Sequence, residues 1–400
     1  MPIPTPFHER TQSLCTSYRW KDWAGYCAVS SYDTSHEREY FAFRESAGLL
    51  DVTPLYKYEV SGPDAAALLS RMMVRDLSKL KVGRVAYTCW CDDDGKVIDD
   101  GTVSRLGESH FRVTSADPSL YWLHALSRRL DVQLEDSSTR LAALALQGPT
   151  SRAILRAAGV SDIDALKFFG VTRTSIGGSR GIPVWISRTG YTGDLGYEVW
   201  VERDQALAVW DALMAAGSPH GIEPAGLDAL DMARIEAGFI LLGVDYYSSH
   251  KVILESRKST PLELGFGWMV DLDRGNFIGR DAIAAEMKRG SIWQLVGLEA
   301  SWEELEALYA SFNLPPSLPP TARRDALPVY DGEGRQVGQA TSHTWSPLLK
   351  KYLAIASVHR GFEAKGTKLQ IEHTVEYERR KVTATVAPTP FYDPERKRKP

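Results

Sequence analysis

The last quarter of the chain is its most restrictive part. From Leu327 to Val386 it is almost entirely short runs of β-formers broken by turn residues, with Asp331-Gly332-Glu333-Gly334 as a hairpin tip. Short strands joined by tight turns bury their apolar faces by closing into a small β-barrel or sandwich. Just upstream, Asn313–Pro320 reads NLPPSLPP. Paired prolines exclude helix and central strand alike, so a linker or an excursion lies there. Trp302–Phe312 (WEELEALYASF), immediately before it, reads as one short helix.

The preceding part alternates amphipathic helices with strands at irregular spacing. Leu120–Leu130 and Asp204–Ala216 place apolar residues at helical intervals, and Pro63–Met73 does so less cleanly. Trp122 and Trp210 on these helices are expected in the core. Lys57–Ser61, Phe111–Thr114, Val184–Ser187 and Tyr197–Val201 read as strands. No dinucleotide-type glycine fingerprint follows a strand, so the pattern predicts an α+β fold rather than a parallel α/β sheet. A chain of 400 residues is longer than one core usually serves, which predicts two or three domains.

Composition narrows the function. The chain is 44% hydrophobic and 24% charged, as an ordinary soluble globular protein is. A net charge of −4 argues against a nucleic-acid or anionic-membrane surface and leaves small molecules as the expected partners. The basic ending Glu395–Pro400 reads as a short solvated tail. No apolar run is long enough for a membrane span, Met1–Arg10 lacks a signal-peptide pattern, and the four cysteines build no disulfide framework. These features predict a cytoplasmic protein with reduced thiols and no structural metal.

Two stretches carry chemistry. Cys91–Thr102 reads CDDDGKVIDDGT. Asp92–Gly95 has the residues of a tight hairpin turn, since Asp tolerates and Gly freely adopts a left-handed φ. A calcium loop is excluded by the absence of alternating ligands and a closing glutamate. Asp99 and Asp100 fall where the second strand should still run, and aspartate is a poor strand residue. Alternation points one of the pair inward, where a carboxylate needs a partner or a ligand with hydrogen-bond donors. The second stretch, Arg188–Glu198 (RTGYTGDLGYE), is a glycine-punctuated loop leading straight into the strand Tyr197–Val201; on composition it suits a hairpin or a ligand contact.

These stretches belong to an ordered series: GLLDV (Gly48–Val52), VIDD (Val97–Asp100), LALQGP (Leu144–Pro149), the Arg188–Glu198 loop, ARIEAG (Ala233–Gly238), FIGRDA (Phe277–Ala282) and SPLLKKYL (Ser346–Leu353). Together they resemble the folate-binding family of the glycine cleavage system T-protein. That family also includes dimethylsulfoniopropionate demethylase, aryl-ether demethylases and the folate domains of sarcosine and dimethylglycine dehydrogenases. The resemblance covers Arg44 to Arg398. It implies three units in a clover-leaf arrangement around a folate channel, with a C-terminal β-barrel as the last. The expected division is residues 1–290 as a folate-binding region of two interleaved α+β units, 291–326 as a variable insertion or linker, and 327–400 as the barrel.

The resemblance also implies tetrahydrofolate as cofactor and assigns roles. Asp100 would lie beside the reactive folate nitrogens as the catalytic carboxylate, and Glu198 would hold the pterin. A pterin edge presents an amino group and a ring N–H side by side, which one carboxylate can accept as charge-assisted bonds. Tyr191 and Trp268 would flank the cofactor; Tyr87 and Phe168 suit either that role or the core. Arg234 suits a helix surface or a ligand.

Departures from the T-protein pattern point to the demethylating branch. Thr53-Pro54 stands where a T-protein has serine and histidine, Leu230 replaces an arginine, and Trp20–Tyr32 (WKDWAGYCAVSSY) is unusually aromatic. Arg75–Gly83 and Leu166–Phe169 also match that branch. An insertion falls around Trp302–Arg324, either a neutral loop or a cover for a substrate pocket. The expected reaction moves a methyl or methylene group from a small O-, S- or N-methyl donor to tetrahydrofolate, without a lipoylated carrier. Tyr26 and Tyr32 are candidates to supply a proton to the leaving group. The alternatives are a true aminomethyltransferase and a non-catalytic folate-binding protein such as an iron–sulfur assembly factor; Cys15, Cys27, Cys89 and Cys91 do not form the cysteine motif of the latter.

Overall fold

A computed structural model describes residues 1–399. Three sheet-based units each enclose a core. A six-stranded sheet has the order Val171–Ile176, Ile182–Ser187, Gly196–Glu202, Leu141–Gln147, Ala47–Asp51, Ile222–Pro224. Helices Ser151–Ala157 and Ala206–Gly217 cover it, and Trp210 lies in its core as expected. A five-stranded antiparallel sheet has the order Arg84–Cys91, Val97–Gly107, His110–Ser115, Tyr56–Ser61, Gln133–Asp136. Helices Ala65–Met72 and Leu120–Leu126 pack on it, with Trp122 at the edge of the cluster. The chain passes from the first sheet into the second after Asp51 and returns at Leu141, so the two units interleave. An N-terminal three-stranded sheet, Ile3–Pro4, Tyr26–Ser31 and Arg19–Trp23, lies against helix Leu227–Glu236.

The third unit is the closed barrel Trp293–Ala300, Lys351–His359, Gln336–Ser346, Leu327–Tyr330, Lys368–Val375, Glu378–Ala387. Its first strand lies ahead of the prolines, inside the segment 291–326 expected to be a linker. Trp293–Ala300 is needed to close the barrel, because it bonds Lys351–His359 on one side and Glu378–Ala387 on the other. The excursion is therefore a loop between two barrel strands, carrying helix Trp302–Ser311. That helix is capped by the Ser301 hydroxyl, which accepts the Glu304 N–H at 3.3 Å, and is anchored by buried Leu305 and Tyr309.

The basic ending is docked rather than solvated. Arg188 donates to the carbonyls of Arg396 and Lys397 at 3.3 and 3.2 Å, and the Arg396 guanidinium forms two 2.7 Å bonds to Asp194. Pro400 lies outside the described residues. No helix among the described residues is long and apolar enough to cross a membrane.

A fourth apolar cluster joins the units. It takes Cys89, Cys91 and Val97 from the five-stranded sheet, Ile235, Ile240 and Tyr246 from helix Leu227–Glu236 and the segment after it, Phe266 and Met269 from a following turn, and Leu353 and Ile355 from the barrel. Ligand sites favour such junctions, where side chains from separately folded units converge.

Candidate functional site

The site grows from the Asp-rich hairpin. Asp92 shapes the turn by accepting the N–H groups of Asp94 at 3.1 Å and Lys96 at 2.9 Å, while Gly95 supplies the left-handed φ of 71°. The hairpin brings Trp90 opposite Asp99 and Cys89 opposite Asp100. Asp99 is the inward member of the pair and is fully buried. It accepts the N–H groups of Asp100, Ala116 and Asp117 at 2.8, 3.1 and 2.9 Å. Burial and the neighbouring Asp100 push its carboxyl well above the usual range, and those backbone bonds oppose the shift. Its task is structural, tying the strand to the loop that follows His110–Ser115.

Asp100 points the other way, part-buried, and meets two phenols. Tyr87, on the neighbouring strand, donates to Oδ2 at 2.6 Å, and Tyr246 donates to Oδ1. Burial raises the Asp100 carboxyl, while the Tyr246 and Tyr87 hydrogen bonds pull it down. The phenols themselves are pushed well above their ordinary value, by burial first and by the Asp100 charge second. They act as donors and do not ionise.

Tyr246 escaped sequence reasoning, although Asp245-Tyr246 follows ARIEAG by only a few residues. It sits on a loop that is bonded from both sides. Asp245 accepts the Leu241 N–H and the Arg234 guanidinium, both at 2.8 Å, on one oxygen, and the Thr341 and Ser342 hydroxyls of the barrel, both at 2.6 Å, on the other. Arg234 is only 1% exposed, so the helix-surface option falls away. It also grips Asp231 at 2.7 Å, Ser342 at 2.8 Å and the Phe239 carbonyl at 3.1 Å, and thereby ties helix to loop to barrel behind Tyr246. Tyr26 and Tyr32 pack into the N-terminal unit, where burial raises the Tyr32 phenol. The phenols on Asp100 come from elsewhere.

The glycine-rich loop is fastened by Gln147. Its amide donates to the carbonyls of Thr189 and Tyr197, both at 3.2 Å, and its oxygen accepts the Thr192 hydroxyl at 3.1 Å. A Cβ at Gly190 or Gly196 would stand 1.9 or 2.1 Å from that oxygen, so both positions require glycine for close approach. The loop presents Tyr191, whose phenol donates to the Ile240 carbonyl and whose ring stacks on Phe239 at 5.4 Å. Burial raises the Tyr191 phenol, Arg234 opposes that, and Asp100 adds to it, which puts Tyr191 in the field of the same carboxylate.

Glu198 lies where the strand from this loop pairs with both Ala145 and Ser187. It accepts the Ser187 hydroxyl at 3.3 Å and is also bonded by Thr189. Burial raises it, and no cation pairs with it among the described residues. A part-enclosed carboxylate with only hydroxyl partners keeps capacity for further donors.

The remaining expected residues, Trp268 and Phe168, lie outside this hydrogen-bond network. Phe266 meets Tyr87 edge-on at 5.7 Å, and two residues on Trp268 is 65% exposed with the Arg75 guanidinium 5.7 Å from its ring centre. Phe168 is edge-on to Phe169 at 4.8 Å, whose N–H donates to the Arg188 carbonyl at the base of the glycine-rich loop. It makes no hydrogen-bonded link to either carboxylate.

Known proteins share the fold described above. Residues 7–274 match the GCVT N-terminal domain and residues 312–393 the glycine cleavage T-protein C-terminal barrel domain. The chain is 35% identical to a trimethylamine-oxide aldolase of Ruegeria pomeroyi over 98% of its own length, but spans only 47% of that protein. It is 32% identical to an aminomethyltransferase of Geobacillus, covering 90% of this chain and 91% of the relative. The fold superposes on aminomethyltransferase T of Bartonella henselae with a TM-score of 0.83 at 24% identity, over 98% of this chain and 99% of the other. The chain belongs to the glycine cleavage T-protein family, folate-dependent one-carbon transferases whose cofactor is tetrahydrofolate.

Proposed function

We propose that this protein moves a methyl or methylene group from a small O-, S- or N-methyl donor to tetrahydrofolate, with no lipoylated carrier. Asp100 is the proposed catalytic residue, Glu198 the pterin anchor, and Tyr191, Trp268, Tyr87 and Phe168 the aromatic surround. The observation that carries this reading is Asp100 itself, a part-buried carboxylate whose two oxygens are held by phenols from two different parts of the chain. The residues suit the cofactor chemically: Glu198 has spare acceptor capacity for an amino group and a ring N–H, and flat rings border the site.

When bound, tetrahydrofolate supplies the nucleophilic nitrogen that takes up the one-carbon group. Asp100 accepts the hydrogen bond of the reacting N–H, orients the nitrogen lone pair toward the incoming carbon and stabilises positive charge developing there. The same carboxylate can take the proton released, because burial has already raised its affinity for one. Glu198 fixes the opposite end, so that transfer proceeds within an aligned pair.

A free donor is supported by the departures at Thr53-Pro54 and Leu230 and by similarity to a protein named as an aldolase of trimethylamine oxide. Aminomethyl transfer is the second reading, favoured by the aminomethyltransferase relatives. Calorimetric titration with tetrahydrofolate, followed by a mass-spectrometric screen of methylated donors, separates the two. Methyl- or methylenetetrahydrofolate formed with a free donor supports the proposal; product formed only from an aminomethyl-loaded lipoylated carrier, with release of ammonia, refutes it. Asp100→Asn should keep cofactor binding and lose turnover by about 10²-fold or more, and undiminished turnover would remove Asp100 from the chemistry.

A further inference from the structure

Arg75 carries a charge that the fold leaves unneutralised. It is about half-buried, which lowers its pKa, and no carboxylate acts against that shift. It forms no ion pair among the described residues. Neighbouring Asp76 is taken by the Ser78 hydroxyl at 2.6 Å and Lys79 at 3.0 Å, and Asp271 by Lys79 at 3.5 Å. A half-buried guanidinium whose hydrogen bond within the fold goes to one carbonyl keeps N–H groups to offer an anionic ligand.

Its position says which ligand. Arg75 donates to the Tyr87 carbonyl at 3.2 Å, and the phenol of that same Tyr87 donates to Asp100 at 2.6 Å. The guanidinium is therefore linked to Asp100 through one residue, Tyr87, and two hydrogen bonds. It also lies over Trp268, a large aromatic that the protein leaves mostly uncovered. A flat ring with a cation over one face and its other surface uncovered fits a molecule whose aromatic ring takes the open face and is followed by a carboxylate.

We infer that Trp268 and Arg75 form the receptor for the p-aminobenzoyl-glutamate end of the cofactor, the ring lying on Trp268 and a glutamyl carboxylate pairing with Arg75. This rests on the assignment of tetrahydrofolate to the site and adds a binding residue to it. The contact is charge-assisted and bidentate in capacity, as arginine allows and lysine does not.

The test compares two ligands by calorimetry, tetrahydrofolate and a 6-methyltetrahydropterin that lacks the tail. In Arg75→Gln, tetrahydrofolate should bind roughly 10- to 100-fold more weakly, as for loss of a charged hydrogen-bond partner, with binding of the pterin unchanged. Arg75→Lys should recover part of the loss, and Trp268→Ala should show the same tail-selective pattern. Equal weakening of both ligands in Arg75→Gln would mean a merely structural arginine, and no weakening of either would mean an idle one; each overturns the inference. Wild-type protein that binds neither ligand would overturn the cofactor assignment itself, an outcome distinct from a failure of Arg75 alone.

Discussion

Replacing Tyr246 by phenylalanine tests the electrostatics of the site most directly. The ring is 1% exposed within the cluster that joins the units, so the substitution keeps the packing and removes one phenol. That phenol is one of two donors to Asp100, and a hydrogen bond to a charged group contributes about 1.5–3 kcal/mol. Each pH unit in a carboxyl's titration corresponds to about 1.4 kcal/mol. Loss of the bond should therefore raise the Asp100 titration by about one to two pH units. The sign follows from the balance already present: burial raises this carboxyl, the two phenols lower it, and removing one lets burial win further. If the ionised carboxylate is the working form, the acid limb of kcat/KM moves to higher pH by that amount, since this profile reports groups of the free enzyme. Stability moves in the same sense. A carboxyl raised in the folded state favours folding at low pH, and that contribution is lost as pH rises through its folded-state value, a fall that the variant carries to higher pH. Tyr247→Phe is the control, because Tyr247 is partly exposed, lies under Arg257 and makes no bond to Asp100. An acid limb in Tyr246→Phe that coincides with wild type would refute the reasoning.

Two further outcomes are expected. Glu198→Gln should weaken tetrahydrofolate binding by about 1–3 kcal/mol in calorimetry. Because burial raises the Glu198 carboxyl, the neutral amide should also melt no lower than wild type near neutral pH, and a variant with unchanged affinity would take Glu198 out of the site. Gln147→Ala strands the Thr192 hydroxyl and the carbonyls of Thr189 and Tyr197, at about 1–3 kcal/mol for each group left unpaired. Scanning calorimetry should show a clear drop in Tm with weaker cofactor binding, and an unshifted Tm would show that the glycine-rich loop does not depend on Gln147.

Local chemistry fixed some of this architecture. The Asp92–Gly95 turn, the inward pointing of one carboxylate of the Asp99-Asp100 pair and the short strands from Leu327 to Val386 follow from residues that interact across a few positions, so the sequence alone determined them; that the inward one is Asp99 came from the structure. Asp100 and Glu198 are singled out by ordered motifs rather than by periodicity, and in the structure phenols hold the one and hydroxyls the other. Other features depended on chain segments far apart. Leu141–Gln147 (LAALALQ) is made of good helix formers, yet it is a strand, because it is buried on both faces and bonded to Gly196–Glu202 and Ala47–Asp51 on either side. Trp293–Ala300 belongs to the barrel only because two partners, reached after the excursion, leave a gap of one strand. Arg234 is buried because Asp245 and Ser342 surround it, and nothing within its own helix announces that. Tyr246 reaches Asp100 across 146 positions of chain, a contact that exists only once the loop after Gly238 is tied to the barrel. Sequence patterns report what a residue can bury or bond locally; which carboxylate a phenol meets is decided when separately formed sheets dock.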